Sequence, residues 1–185
     1  MKTITSQSIG TLRQSKEFND WWESEPIAIP FFDGLPLSIT FMDLQPAQDS
    51  AFIKEADEAL VQFLAMDSAA RLELSDLVHQ NCMEFLQAIG YDEEDKPLWD
   101  IKDKHDIWKF VRPEEIHLAR RQRRDKDIYL TIACECDWEQ EHGLQLVFRR
   151  GQQLTRISEQ DGWLTTADAY DTPDEADELS RDFQQ

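Results

Sequence analysis

The chain has 185 residues, with 38 Asp and Glu against 19 Lys and Arg, and a formal charge of −19 at neutral pH. That field repels phosphate, so it opposes direct binding of nucleic acid or an anionic membrane and leaves a basic protein or cations as partners. The hydrophobic content of 41% and aromatic content of 10% exclude global disorder, and a chain of this length buries roughly 70% of its extended surface, enough for one domain with a core that needs no staples.

The three cysteines, Cys82, Cys134 and Cys136, are read as reduced thiols of a cytoplasmic protein. The first ten residues have no apolar stretch of the secretory kind, and no apolar run approaches the ~20 residues of a membrane span. A single α+β domain is expected over residues 1–165, with N-terminal strands in 8–42, helices in 50–89 and a β meander in 107–165. Residues 166–185 are expected to be an acidic tail.

In chain order, residues 1–7 are polar and read as frayed, and Ser8–Leu12 starts a strand. Ile27–Phe32 and Leu35–Phe41 flank Asp33-Gly34 as a hairpin, with Pro30 and Pro36 holding parts of both strands to edges or bends. The period then changes. Asp49-Ser50 is a helix-start signal, and Phe52, Ala56, Ala59, Leu60, Phe63 and Met66 recur at helical spacing with Lys54, Glu55, Asp57 and Glu58 opposite. Asp67-Ser68 reads as a break and a new N-cap. Leu74, Leu77, Val78, Cys82, Phe85 and Ile89 form a second stripe ending at Gly90. These two helices are expected as an αα-hairpin packed on one face of a twisted antiparallel sheet.

Tyr91–Asp106 is a charged surface connection. Ile107–Val111 is expected as a strand, bent at Pro113 and continued by Ile116 and Leu118 to the one basic cluster, Arg120, Arg121, Arg123, Arg124 and Lys126. Leu130, Ile132, Cys134 and Cys136 alternate with Tyr129, Thr131, Ala133 and Glu135. Leu144, Leu146 and Phe148 repeat the alternation, Gln153–Ser158 is a third strand, and Asp161-Gly162 reads as a further hairpin turn.

The chemistry-bearing residues gather in Cys134–Gly143. Cys134, Cys136 and His142 are the metal candidates, since thiolate and imidazole suit zinc and Asp137, Glu139 or Glu141 could complete a shell. The spacing is C-x-C-x5-H rather than a paired C-x2-C, and both thiols continue the apolar face of their strand, so small core residues are the plainer reading. Glu139, Glu141 and His142 could also supply a general acid and base or a hard-cation site. The competing structural reading has Trp138 plugging the core while the carboxylates cap turn amides or pair with Arg149 and Arg150. The basic cluster has a phosphate-binding composition, but on so acidic a body it is expected to meet the chain's own acidic tail or an acidic neighbour. Six tryptophans are many for this length; most are expected in the core, and an exposed one would mark an interface.

Ile107-Trp108 with Pro113, then Cys136-Asp137-Trp138-Glu139-Gln140-Glu141-His142-Gly143-Leu144, Phe148 and Asp161-Gly162, resembles a group of uncharacterised bacterial cytoplasmic domains with a DWExEHGL-type β-hairpin, some of which resemble immunity proteins. The resemblance covers Trp108–Gly162. It implies that Trp138, Glu139, Glu141, His142 and Gly143 act together, and it is silent on activity. The expectation is a non-enzymatic protein-interaction domain of the immunity type, monomeric or homodimeric, with a basic partner and no cofactor. The alternative is a divalent-metal protein or metal-dependent hydrolase.

Overall fold

Within residues 1–7, read from composition as a frayed end, Thr3–Ser6 form instead a strand of the first pair. The structure is a computed structural model and describes residues 2–177 and 179. Strands β1 (Thr3–Ser6) and β2 (Gly10–Gln14) pair antiparallel with Ile4 opposite Leu12, followed by β3 (Trp22–Ser24), β4 (Ile27–Ile29) and β5 (Leu35–Phe41). β4 and β5 form the hairpin predicted around Asp33-Gly34, both at positive φ, with Pro30–Phe32 winding into a short 3-10 turn before it.

Three helices follow. α1 (Phe52–Leu64) buries Phe52, Ala56, Ala59, Leu60 and Phe63, the stripe its spacing predicts, and packs on the sheet. Asp57, expected on its polar face, is buried instead. Its carboxylate accepts from the Ser6 hydroxyl and from the amides of Gln7 (2.9 Å) and Ser8 (3.3 Å), which holds the β1–β2 turn to the helix. Asp67 caps α2 (Ser68–Glu73) by accepting from Ala69 and Ala70. α3 (Ser75–Ile89) buries Val78, Cys82 and Leu86, while Ile89 at its end is 59% exposed. The connection holds a short α4 (Lys96–Trp99) that buries Leu98.

The expected strand at Ile107–Val111 is a 3-10 segment, Lys104–Phe110; Ile107 is buried and the Trp108 indole donates to Ser75 Oγ on α3 at 3.0 Å. Five residues cannot tell a period of two from a period near three, and the contact with α3 decided it. The strand begins at Val111 and runs as β6 (Val111–Arg120), with its register shifted between Pro113 and Glu115. β7 (Ile128–Cys136), β8 (Leu144–Arg149) and β9 (Gln153–Ser158) follow as the predicted meander.

The nine strands form one sheet in the order β1-β2-β3-β5-β6-β7-β8-β9, with β4 paired to β5 off this path. The fold is α+β, but the sheet is mixed: β5 and β6 are parallel, with Ile39 opposite Ile116. Parallel neighbours need a long crossover, and residues 42–110, with α1 to α4, supply it. Phe31, Phe63 and Phe148 meet at 5.7 to 5.9 Å where turn, helix and sheet converge.

Past β9 the chain does not turn into another strand at Asp161-Gly162. Asp161 folds back to pair with Arg156 and to accept from Gln145, and α5 (Thr166–Ala169) follows. Of the expected acidic tail, residues 178 and 180–185 lie outside the described residues.

Candidate functional site

β7 ends at Cys136, and the connection to β8 takes its shape from Trp138 and Glu139. Trp138 turns inward, 4% exposed, and donates from Nε1 to Asn81 Oδ1 on α3 at 3.2 Å. Glu139 Oε1 accepts from the amides of Glu141 (3.1 Å) and His142 (3.2 Å), and its carbonyl accepts from Gly143 (2.9 Å). Gly143 sits at φ 64°, and a Cβ there would lie 2.5 Å from the Cys134 carbonyl oxygen, so glycine is required by conformation and by space. Glu139 thus holds the turn. Arg149 and Arg150 pair with Asp127 rather than with this connection, and Asp137 pairs with Arg112.

The two thiols and the histidine are not brought into one shell. Cys134 and Cys136 are buried in the core with Cys82. Burial pushes the Cys134 thiol well above its ordinary value. Burial also raises Cys136, to about 11 against backbone hydrogen bonds from Glu139 and Trp138, and raises Cys82 to about 12. A metal-binding or nucleophilic cysteine needs the opposite environment. His142 is exposed and gathers instead with Glu139 and Glu159, one donor atom of each lying within 4.8 Å of the others. These residues could hold a divalent cation. Glu139 and His142, with Arg112, Glu135 and Glu141, line an open cleft of about 530 Å³.

The basic cluster is engaged internally. Arg121, 4% exposed, donates to both oxygens of Asp168 at 2.8 Å, to Asp125 at 2.7 Å and to Asp174 at 2.7 Å. Arg120 reaches Asp49 and Glu55, and Arg124 reaches Asp174. Of the cluster's four arginines, Arg123 has no ion pair or side-chain hydrogen bond among the described residues.

A second concavity lies where the sequence singled out no site. On β6, β7 and β8 the large apolar residues point to the helices, and the alternate residues His117, Ala119, Thr131, Ala133 and Gln145 point to the other face. Three of these are small. The segment from Gln160 to Asp171 borders this face, and with the 120–124 loop, Met42 and Asp43 it lines a groove of about 910 Å³. Trp163 forms part of its wall and is 48% exposed, whereas Trp22 and Trp138 are buried. Its backbone is pinned: Gln145 donates to its carbonyl (3.1 Å), its amide donates to Asp161 (3.0 Å), and Thr155 donates to the Leu164 carbonyl (2.8 Å). The signals available in the sequence were the small residues at alternate positions of β7 and a tryptophan just past a turn dipeptide, and neither identifies a groove until the chain beyond β9 folds across the sheet.

No curated protein and no solved structure matches the chain. Residues 8–164, from the β1–β2 turn through the helices and the meander to the segment bordering the groove, match the family described as a domain of unknown function, DUF6985, and the chain belongs to that family.

Proposed function

We propose that the chain is a non-enzymatic protein-interaction domain of the immunity type, which binds a basic partner protein. One observation carries this reading. Every described arginine except Arg123 forms an ion pair with the chain's own carboxylates. The guanidinium charge is neutralised at home, and the surplus of acids faces outward. It is dense on and after the end of α3, where Glu84, Asp92, Glu93, Glu94 and Asp100 are exposed. Ile89 and Tyr91 stand exposed beside them, at 59% and 65%, with Tyr91 6.1 Å from Trp99. An apolar centre rimmed by one sign of charge suits a partner with a basic rim, because the charge steers encounter and the apolar pair supplies contact.

The test is capture by the immobilised full chain, compared with a variant carrying Asp92→Lys, Glu93→Lys and Glu94→Lys and with a control carrying Glu17→Lys and Glu23→Lys. A basic protein retained by the parent and the control, lost by the triple variant, and released by about 1 M salt, where the screening length is about 3 Å, supports the reading. Retention that ignores both the triple variant and salt rejects it.

The grouping of Glu139, His142 and Glu159 favours a second reading, a divalent-metal protein or metal-dependent hydrolase. Elemental analysis of protein purified without chelator separates the two readings: stoichiometric zinc that disappears in His142→Ala supports the metal, and metal-free protein rejects it.

A further inference from the structure

We infer that the groove on the sheet face opposite the helices is a binding site for a small, flat, anionic molecule, with the Trp163 indole as its stacking wall and the Arg123 guanidinium as its anion contact. The inference does not depend on the interaction reading, which uses a different surface.

The floor is made of short side chains, Ala119, Thr131 and Ala133, on strands whose neighbours are large. Short residues on an otherwise filled sheet leave depth, and about 910 Å³ lies within the range of small-molecule sites, roughly 300–1,000 Å³. β6, β7 and β8 are each paired on both sides, so the floor offers no free strand edge to which an extended peptide could add. That selects a compact ligand over a polypeptide.

The wall selects a flat one. An indole held by hydrogen bonds on both sides of its backbone and still half exposed keeps its π-face available at little conformational cost. Charge selects the anion. Arg120, Arg121 and Arg124, which also line the groove, are saturated by carboxylates, and Asp168 and Asp171 line it too. Asp49, Glu55, Asp125, Asp168 and Asp174 neutralise those guanidiniums, and Arg123 is the groove-lining guanidinium left exposed without a counter-ion among the described residues. A planar guanidinium and a planar ring lining one groove match a carboxylate carried on an aromatic system.

The experiment titrates the isotopically labelled full chain with naphthoate and follows the indole N–H resonances, assigning that of Trp163 by its disappearance in Trp163→Phe. The expected result is a saturable shift of the Trp163 resonance while those of the buried Trp22 and Trp138 stay in place. Affinity should fall by about tenfold or more in Arg123→Gln, and by a similar factor for the neutral isostere naphthamide. Both substituted side chains are exposed, and unchanged resonances of the other indoles show that the variants are folded. An unmoved Trp163 resonance overturns the site. Equal affinity for naphthamide, or for naphthoate in Arg123→Gln, overturns the anion contact.

Discussion

Arg121 and Asp168 are 47 residues apart in the chain and meet in a two-pronged pair, each hydrogen bond 2.8 Å long. The pair fastens the segment beyond β9 to the β6–β7 loop, and with it the wall of the groove. Tyr129 completes the cluster by donating to Asp125 at 2.8 Å.

Removing that cation should therefore loosen one end of the molecule. Arg121→Gln removes the one cation shared by Asp125, Asp168 and Asp174 and leaves Arg124 to Asp168 and Asp174, and breaking such a pair is expected to cost about 3 kcal/mol. The same carboxylates set an acid limit. Burial alone would raise Asp174, but the hydrogen bonds from Arg121 and Arg124 outweigh it and hold the folded carboxyl below its ordinary value; Asp127 is lowered in the same way by Arg150 and Arg149. A lowered folded value stabilises above about pH 4 and is lost as pH falls through it. Urea midpoints measured between neutral pH and pH 3 should drop for the parent and drop less steeply for Asp174→Asn.

Gly151, in the β8–β9 turn, sits against α1. A Cβ there would lie 1.9 Å from the Ala59 carbonyl oxygen, at a φ of 75°, whereas one at Gly162, at φ 79°, would meet nothing within 4 Å. Both substitutions to Ala incur the left-handed backbone penalty of about 1–2 kcal/mol. Only Gly151→Ala must also push the helix off the turn. Thermal unfolding should show Gly162→Ala a few degrees below the parent and Gly151→Ala much lower still, and equal losses would mean that the turn can retreat from the helix freely.

The thiols should be silent in the folded protein. At pH 8 a thiol reagent is expected to label none of Cys82, Cys134 and Cys136 until denaturant is added, because all three are buried and held in the protonated form. A thiol raised on folding stabilises fully below its unfolded value near 8.5 and loses that contribution as pH rises towards the folded one. Stability should accordingly decline from about pH 9 towards the folded values of about 11 for Cys136 and 12 for Cys82.

Asp57 anchors the first hairpin. Asp57→Ala leaves the Ser6 hydroxyl and the amides of Gln7 and Ser8 without their acceptor, at a cost of about 2 kcal/mol or more. Hydrogen exchange at Gln7 and Ser8 should accelerate markedly while the β6–β7 amides keep their protection. Uniform acceleration across the sheet would instead make the hairpin part of the global unfolding unit.

What was legible in advance follows from local periodicity. The alternation from Leu130 to Cys136 and from Leu144 to Phe148 is short-range and marks both the strands and the face they bury. The α1 stripe and the Asp67 cap are equally local. Asp57 was misassigned because its burial depends on a strand pair fifty residues away, and Ile107–Val111 because so short a stretch fits either period. The parallel junction of β5 with β6 has no signature in either strand; it arises from where the crossover helices bring the chain back.

By itself, then, the sequence determined the α+β class, the core faces, the acidic balance and the burial of two thiols, since each depends on residue type and spacing along a few turns or strands. Tertiary structure alone decided that His142 gathers with Glu139 and Glu159 rather than with cysteine, which acids of the expected tail meet Arg121, and that Trp163 overlooks a groove floored by small residues. Such groupings join side chains far apart along the chain, and only the closure of the sheet and the return of the segment past β9 place them within reach of one another.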